Sequence, residues 1–598
     1  MRAETMASTA SLQERISGLL ESFIQANLYC PEREEGGPFR AWETLSDLFH
    51  QDAIKLLRDR YLSEDEGMAW IACLPLVRRM GKIAQLPFVY IFCPTAEHSR
   101  YVHSLGSAAL MAKFCEDHGI DPDLARDAVL LALLHDVFDP PFGHGLIPLI
   151  MLSEVYGDEV RGEGLGSFLL KDLLNDDWRV WCDLEGRPGE CLKMLRDEIV
   201  ERLGKKRIKR LLSLLSSSGV SDQAERLVVS ALRGTVISVS KADYLVRDIG
   251  MMRSVMMAMG VKSLVEDLLS KLAGLKDGEE QVFRARDEYE ADEIKEVLCE
   301  FAETLYRSYT HYYERDASLS GDEMISHLIY ILCGALSPTS GHAGIKRTLL
   351  KITLLDEDQI YTLLWLLGED EGYRLVRELV IKLRYERRVF PCLLEIGMPL
   401  SFIPAIPEHG LARGEKLIYT FMEHVKNKYC DDMEGKLRLE RGYARRLITD
   451  LFNKKYENVY KEEFFANPGN CLEKFPLTLI NLRSFYRGGR GLTRWHMKCS
   501  ISIDKENTRG WNWRPREGGY IRIHVFTPEP IYEHVAKDEK LSSYEQAKKA
   551  VELLFELLME GLDEEVRQRV RSWYTGEKAY IKWCGRRWPV YKEPRRPL

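Results

Sequence analysis

Apolar residues recur at helical spacing through most of this chain. The stretches SLQERISGLLESFIQANL (11–28), LSDLFHQDAIKLLRDRYL (45–62) and MAWIACLPLVRRMGKIAQL (68–86) each carry the periodicity of an amphipathic helix, and PEREEGGPF between the first two loosens into a boundary or loop. Two further helices are predicted, one through RYVHSLGSAALMAKF and one through DAVLLALLHD, where Asp121 can cap and Pro122 suits the first turn. Asp139-Pro140-Pro141-Phe142-Gly143 then has to loop, because proline lacks the donor a helix needs and the residue ahead of it avoids α geometry. Helical patterning resumes beyond it, broken by the turn-rich CDLEGRPGEC and followed by the basic run GKKRIKRLL, and it persists from Val261 to about Glu395. Near Asn467 the texture changes to short alternating runs, CSISIDKE and GYIRIHVFTP, and then the helix SYEQAKKAVELLFELLMEGL. The expectation is a mainly α chain with a smaller α+β C-terminal region, divided at 1–70, 71–260, 261–466 and 467–598.

Composition narrows the class without naming a chemistry. At 598 residues the chain exceeds one simple core, and 45% hydrophobic with 29% charged residues is ordinary for a globular protein. A formal charge of −8 argues against bulk affinity for nucleic acid. Thirteen cysteines without a C-x-x-C pair read as reduced thiols rather than a disulfide or zinc framework. No apolar run is long enough to span a bilayer and Met1 to Ala10 lacks a signal core, so a soluble, cytoplasmic protein that does not enter membranes is expected.

The chemistry gathers between Pro94 and His144. His103 sits inside one helical pattern, the adjacent His135 and Asp136 end the next, and His144 follows nine residues after His135. Neighbouring helical residues point about 100° apart, so both members of the pair reach one ion only if the site lies over the helix end, against the helix that carries His103. Imidazole with carboxylate suits a divalent ion such as Mn, Fe, Zn or Mg. A single histidine in such a run is more often a packed side chain; RYVHSLG, LLHD and PFGH in succession form a far more specific pattern.

These motifs resemble the HD-domain phosphohydrolases, and within them the branch of deoxynucleoside triphosphate triphosphohydrolases that includes the SAM- and HD-domain proteins. The matching segments are RRMGKIAQL (78–86), PTAEHSRYVHSLG (94–106), LLHDVFDPPFGH (133–144) and SKADYLVRD (240–248), with fainter likeness in YRSYTHYYERDA and LDEDQIYTLLWLL. The resemblance implies an all-helical HD core and a divalent metal held by His103, His135 and Asp136. It implies hydrolysis of a nucleotide, a dNTP above all, to deoxynucleoside and triphosphate. His144 and Asp139 take the catalytic positions, and Gln85, Arg100, Lys241, Tyr244, Asp248 and Tyr309 the substrate-binding ones.

The chain departs from the pattern at three places. Ser240 stands where the family has its fourth ligand, an Asp; Asp139 stands for the first His of the HD-x-GH loop; and the expected His-Glu pair has become Gly162-Glu163. Asp243 matches the family's second Asp rather than its ligand. These departures keep a second reading open, a catalytically weakened HD protein that binds nucleotide or nucleic acid as a sensor or assembly module. The C-terminal region is net basic and holds six tryptophans between Trp495 and Trp588, a composition open to an ordinary core, a homo-oligomer contact or a single-strand surface.

Overall fold

The computed structural model describes residues 2–28, 50–62, 68–143, 165–399, 413–451, 478–482 and 497–590, with short breaks at 73, 177–179, 182–183, 185, 217–219, 221, 277–279, 338–340, 431–432, 504–506, 514–519 and 577. The chain is mainly helical with a small sheet region, as the periodicity predicts. The helices that build or support the site are α1 (Arg2–Leu28), α2 (Gln51–Leu56), α3 (Arg100–Asp117), α4 (Pro122–Leu134), α5 (Lys205–Ser216), α6 (Gln223–Arg233), α7 (Val239–Met252), α8 (Val255–Lys271), α9 (Glu288–Ser308), α10 (Asp316–Leu336) and α11 (Glu357–Leu367). Helix α1 buries Ile16, Leu20, Ile24 and Leu28, one stripe at a spacing of four. At its end Asn27 Nδ2 donates to Leu354 O and Gln359 Oε1, both at 2.8 Å. Asp356 and Gln359 form a reciprocal cap at the start of α11, so the acidic LDED segment serves as a helix start.

The basic run lies on α5, and two of its arginines face inward. Arg207 Nε and Arg210 Nε donate to opposite oxygens of Asp127, a fully buried carboxylate on α4. The pairing clamps α5 onto the helix that ends in the His-Asp pair. The helical pattern that runs from Val261 is interrupted here too: α9 gives way to a wider turn at Tyr309–Tyr313, and α10 begins at Asp316.

Nine strands form two sheets among the described residues. In the first, β1 (Leu272–Lys276) and β2 (Glu280–Arg284) form an antiparallel pair, β2 runs parallel to β5 (Met497–Ser502), and β6 (Thr508–Trp513) closes the edge. In the second the order is β4 (Leu479–Asn481), β7 (Tyr520–Phe526), β3 (Cys392–Pro399), β8 (Tyr580–Trp583) and β9 (Arg586–Pro589). Strands β1, β2 and the start of β3 fall inside a stretch whose pattern reads as helical from Val261 to about Glu395.

The two sheets belong to two hydrophobic cores. One fills the helical body and takes in Met497, Cys499, Ile501, Trp511 and Trp513 from β5 and β6. The other packs β3, β4, β7 and β8 against α12 (Met433–Leu451), α13 (Tyr544–Leu558) and α14 (Glu564–Tyr574). Residues beyond 467 therefore contribute to both cores. Of the six C-terminal tryptophans, Trp511, Trp513, Trp573 and Trp583 are buried, and Trp495 lies outside the described residues.

Candidate metal centre

Helix α4 begins and ends as its sequence predicts. Asp121 accepts hydrogen bonds from Asp123 N and Leu124 N, Pro122 occupies the first turn, and His135 is the residue that closes the helix. Its Nδ1 lies 2.8 Å from Ala132 O, and a carbonyl only accepts, so Nδ1 carries the hydrogen and Nε2 presents its lone pair. His103, buried in the first turn of α3, is oriented in the same sense by a different partner, with Nδ1 donating to Asp243 Oδ2 at 2.8 Å.

The two Nε2 atoms lie 3.3 Å apart. Neither carries a proton in the neutral tautomer fixed by its Nδ1 bond, so two lone pairs face one another. Asp136 adds negative charge to the same point, with Oδ1 3.2 Å from His135 Nε2 and Oδ2 3.7 Å from His103 Nε2. Ser240 Oγ lies 3.1 Å from His135 Nε2 and 3.2 Å from His103 Nε2, and its single hydroxyl hydrogen can satisfy only one of them. Such a convergence of donors calls for a cation. Ligand bonds of about 2.1 Å set neighbouring donors about 3.0–3.4 Å apart in octahedral or tetrahedral geometry, which is the spacing observed. His103, His135 and Asp136 can thus hold one divalent ion, and their ligand atoms lie within 4.8 Å of one another.

A second layer fixes these donors. Asp243 is fully buried; although burial alone pushes a carboxyl up, Arg247, the hydrogen bond from His103 and the nearby His50 imidazole hold it well below the usual carboxylate range. Arg247 NH2 reaches Asp243 Oδ1 at 2.7 Å and Nε reaches Oδ2 at 3.1 Å. Asp243 approaches α3 over Gly106, where an added Cβ would stand 1.8 Å from Asp243 Oδ1 and 2.4 Å from Arg247 NH2. The glycine of RYVHSLG is a packing requirement of the site. Burial holds the His135 imidazole below its ordinary value, which keeps it neutral.

Arg79, in the RRMGKIAQL segment, donates through NH2 to Val137 O at 2.8 Å and Asp139 O at 3.1 Å, and through NH1 to Thr353 O at 2.7 Å and to Leu355 O. It stitches the turn after the His-Asp pair to the segment before α11. Glu357 Oε1 accepts from Ala84 N at 3.0 Å and Phe142 N at 3.3 Å, holding the residue beside Gln85 and the loop before His144. Burial raises the Glu357 carboxyl to about 7.

The remaining sequence candidates have mixed surroundings. Arg100 NH1 donates to Asp136 Oδ2 at 2.8 Å and also to Asp139 Oδ2. Asp139 is buried, and burial together with the neighbouring Asp136 carboxylate pushes its carboxyl well above the usual range. Tyr244 lies with its ring centroid 6.2 Å from that of His103, and its hydroxyl is 3.5 Å from that of Tyr309. Gln85 is half-buried, and its Oε1 has no partner among the described residues. Lys241 Nζ donates to Gly234 O at 3.1 Å and to Thr235 O, closing the end of α6. Asp248 has both oxygens engaged, Oδ1 with His98 Nε2 at 2.8 Å and Oδ2 with the Tyr313 hydroxyl. His144, Gly162 and Glu163 lie outside the described residues.

Sequence reasoning missed His50, His98, Arg79 and Tyr313. His98 lies within the quoted PTAEHSRYVHSLG motif and Arg79 within RRMGKIAQL, so both were open to notice; His50 sits in the helical run LSDLFHQDAIKLLRDRYL, which carries no motif of the family.

The family model of the HD domain matches residues 100–247, which include all three ligand candidates, so the chain carries an HD domain over that range. An uncharacterized protein of Methanocaldococcus jannaschii is 32% identical over 118 residues, a match covering 20% of this chain and 25% of that protein. The chain thus spans about a quarter of the length of that relative. Among solved structures, a hypothetical protein from Aquifex aeolicus aligns with a TM-score of 0.41 at 15% identity over 78% of this chain and 94% of that one. A phosphohydrolase from Bacteroides thetaiotaomicron aligns with a TM-score of 0.41 at 13% identity over 76% and 94%. No helix among the described residues is long and apolar enough to cross a membrane.

Proposed function

We propose that this chain is a metal-dependent phosphohydrolase acting on nucleotides, and specifically that it cleaves a dNTP to deoxynucleoside and triphosphate. The observation that carries the reading is the convergence of two imidazole lone pairs and the Asp136 carboxylate on one point, in a chain that carries an HD domain. A divalent ion bound there supplies polarisation of a phosphoryl oxygen and activation of water. The chain's own groups do the rest. Water adds to the α-phosphorus and gives up a proton to solvent, the bond to the 5′ oxygen breaks, and protonated His144 gives that oxygen its proton. Arg100, whose Nε has no partner among the described residues, supplies a fixed positive charge beside the phosphates and ties Asp136 to Asp139. Tyr244 and Tyr309 offer rings to the sugar and base, and Gln85 Oε1 offers an acceptor.

A second reading, a nucleotide-binding sensor with weakened catalysis, has its own support. Ser240 replaces a charged ligand with a neutral one, and Asp139 stands where the family's loop has a His.

The test is metal analysis of purified protein together with a nucleotide panel scored for triphosphate release, comparing wild type with His135→Ala and His144→Ala. The phosphohydrolase reading expects His135→Ala to lose metal and turnover, and His144→Ala to lose turnover while keeping metal. Metal without turnover in the wild type would favour the sensor. Equal metal in wild type and His135→Ala would remove the site from either reading.

A further inference from the structure

His50 lies ahead of the segment that matches the HD domain. It caps the start of α2, a short helix that packs on α3, and its side chain is fully buried. Its Nε2 lies 3.3 Å from Asp243 Oδ1, and neither ring nitrogen has a hydrogen-bond partner among the described residues. A buried imidazole left unpaired is destabilising, so a ring retained at this depth calls for a compensating partner. The partner on hand is the carboxylate that sets His103.

We propose that His50 is a positioning residue for the metal centre, completing with Arg247 and His103 the ring of donors that fixes the Asp243 carboxylate. The chain of contacts runs from His50 Nε2 to Asp243 Oδ1, from Asp243 Oδ2 to His103 Nδ1, and from His103 Nε2 to the point shared with His135 and Ser240. Arg247 already grips both oxygens of Asp243 from the same helix, α7. His103 ties Oδ2 to α3. His50 approaches Oδ1 from a third element, α2, and so adds a constraint on the carboxylate plane, and through it on the direction of the His103 lone pair, that neither of the other two supplies. Second-layer partners of this kind change metal affinity by about 10–100-fold when removed, because the ligand loses its orientation while staying in place.

The inference rests on the metal reading of the site, and the experiment separates the two. Cobalt(II) is titrated into the full-length metal-free protein and its visible absorption recorded, since that band follows donor geometry. His50→Phe keeps the ring volume and removes the nitrogens; His50→Gln keeps a hydrogen-bond donor. The expected result is a Co(II) affinity about tenfold weaker with a shifted band for His50→Phe, near-wild-type values for His50→Gln, and none of this tracking thermal stability. Wild-type behaviour of His50→Phe overturns the proposal, and so does a His50→Gln variant that fails as His50→Phe does, because the ring would then serve packing alone.

If the wild type binds no Co(II), the metal reading fails, and the positioning role is read from the Nδ1 proton of His103 in protein labelled with 15N-histidine and assigned through His103→Ala. That signal is expected to be slow to exchange in wild type and His50→Gln and lost in His50→Phe. Its persistence in His50→Phe overturns the proposal.

Discussion

Ser240 Oγ lies 3.1 Å from His135 Nε2, close enough to share an ion with it, although α7 and the end of α4 are separated by more than a hundred residues of chain. The contact fixes the register of SKADYLVRD: position 240 faces the ligands, and Asp243, one turn on, faces away towards His103 Nδ1, Arg247 and His50. A hydroxyl brings no charge to that corner, so a bound divalent ion keeps a higher net charge than it would beside a second carboxylate. Ser240→Asp is therefore expected to tighten metal binding by about tenfold, which is about 1.4 kcal/mol, and to raise any hydrolysis. Competition titration with a chelator measures the first and triphosphate release the second. Unchanged metal affinity in Ser240→Asp would show that position 240 does not face the ion and that this register is mistaken.

The ligands were legible because their signals are local. A cap at Asp121, a proline at the first turn and a proline-rich break after the His-Asp pair specify where α4 starts and stops, and that placement puts His135 at the helix end. The groups around the ligands were less legible. Lys241 and Asp248 stand at the right helical spacing to line a pocket, but spacing does not reveal that Lys241 turns to the carbonyls ending α6 or that His98 and Tyr313 claim Asp248. The first sheet was hidden for a different reason. Strand β2 pairs with β5 across some two hundred residues, Gln281 opposite Cys499, and each run alone is too short to declare itself within a helical neighbourhood. Strand β3 reads CLLEIGMP, an apolar run whose place at the centre of a sheet comes from β7 and β8, far along the chain.

Glu357 gives a pH dependence whose sign can be worked out. Burial raises its carboxyl from 4.5 to about 7 in the folded protein. Between those values the unfolded chain has released a proton that the folded one retains, so stability falls as pH rises through this window and stays lower above it. The effect is at most about 3 kcal/mol, and less to the extent that solvent reaches the partly buried residue. Glu357→Gln keeps an oxygen for the amides of Ala84 and Phe142 and removes the titration. Urea denaturation at pH 5 and pH 8 should show the variant gaining stability relative to wild type at the higher pH. A constant difference between the two proteins at both pH values would mean that Glu357 ionises normally.

Truncation after residue 466 tests how far the C-terminal strands support the metal centre. A separately packed C-terminal unit would leave a soluble helical core when removed. The structure gives the opposite expectation, because β5 and β6 carry Met497, Cys499, Ile501, Trp511 and Trp513 into the core of the helical body. Their removal strips β2 of its parallel neighbour and exposes an apolar sheet edge, a surface prone to pairing with other chains. The consequence reaches the ligands through Gln281. That buried side chain on β2 accepts from Val236 N at 2.8 Å and Ile237 N at 2.9 Å and donates to Ile237 O at 2.8 Å, setting the turn that leads into α7 and ends three residues before Ser240. The truncated chain is therefore expected to aggregate, and whatever stays soluble to bind Co(II) at least about tenfold more weakly than the full chain. Gln281→Ala, made in the intact protein, is expected to weaken Co(II) binding without aggregation, since it leaves the β2–β5 pairing whole while loosening the start of α7. A truncated chain that is monomeric, helical and undiminished in Co(II) affinity would show that the C-terminal strands are dispensable to the site.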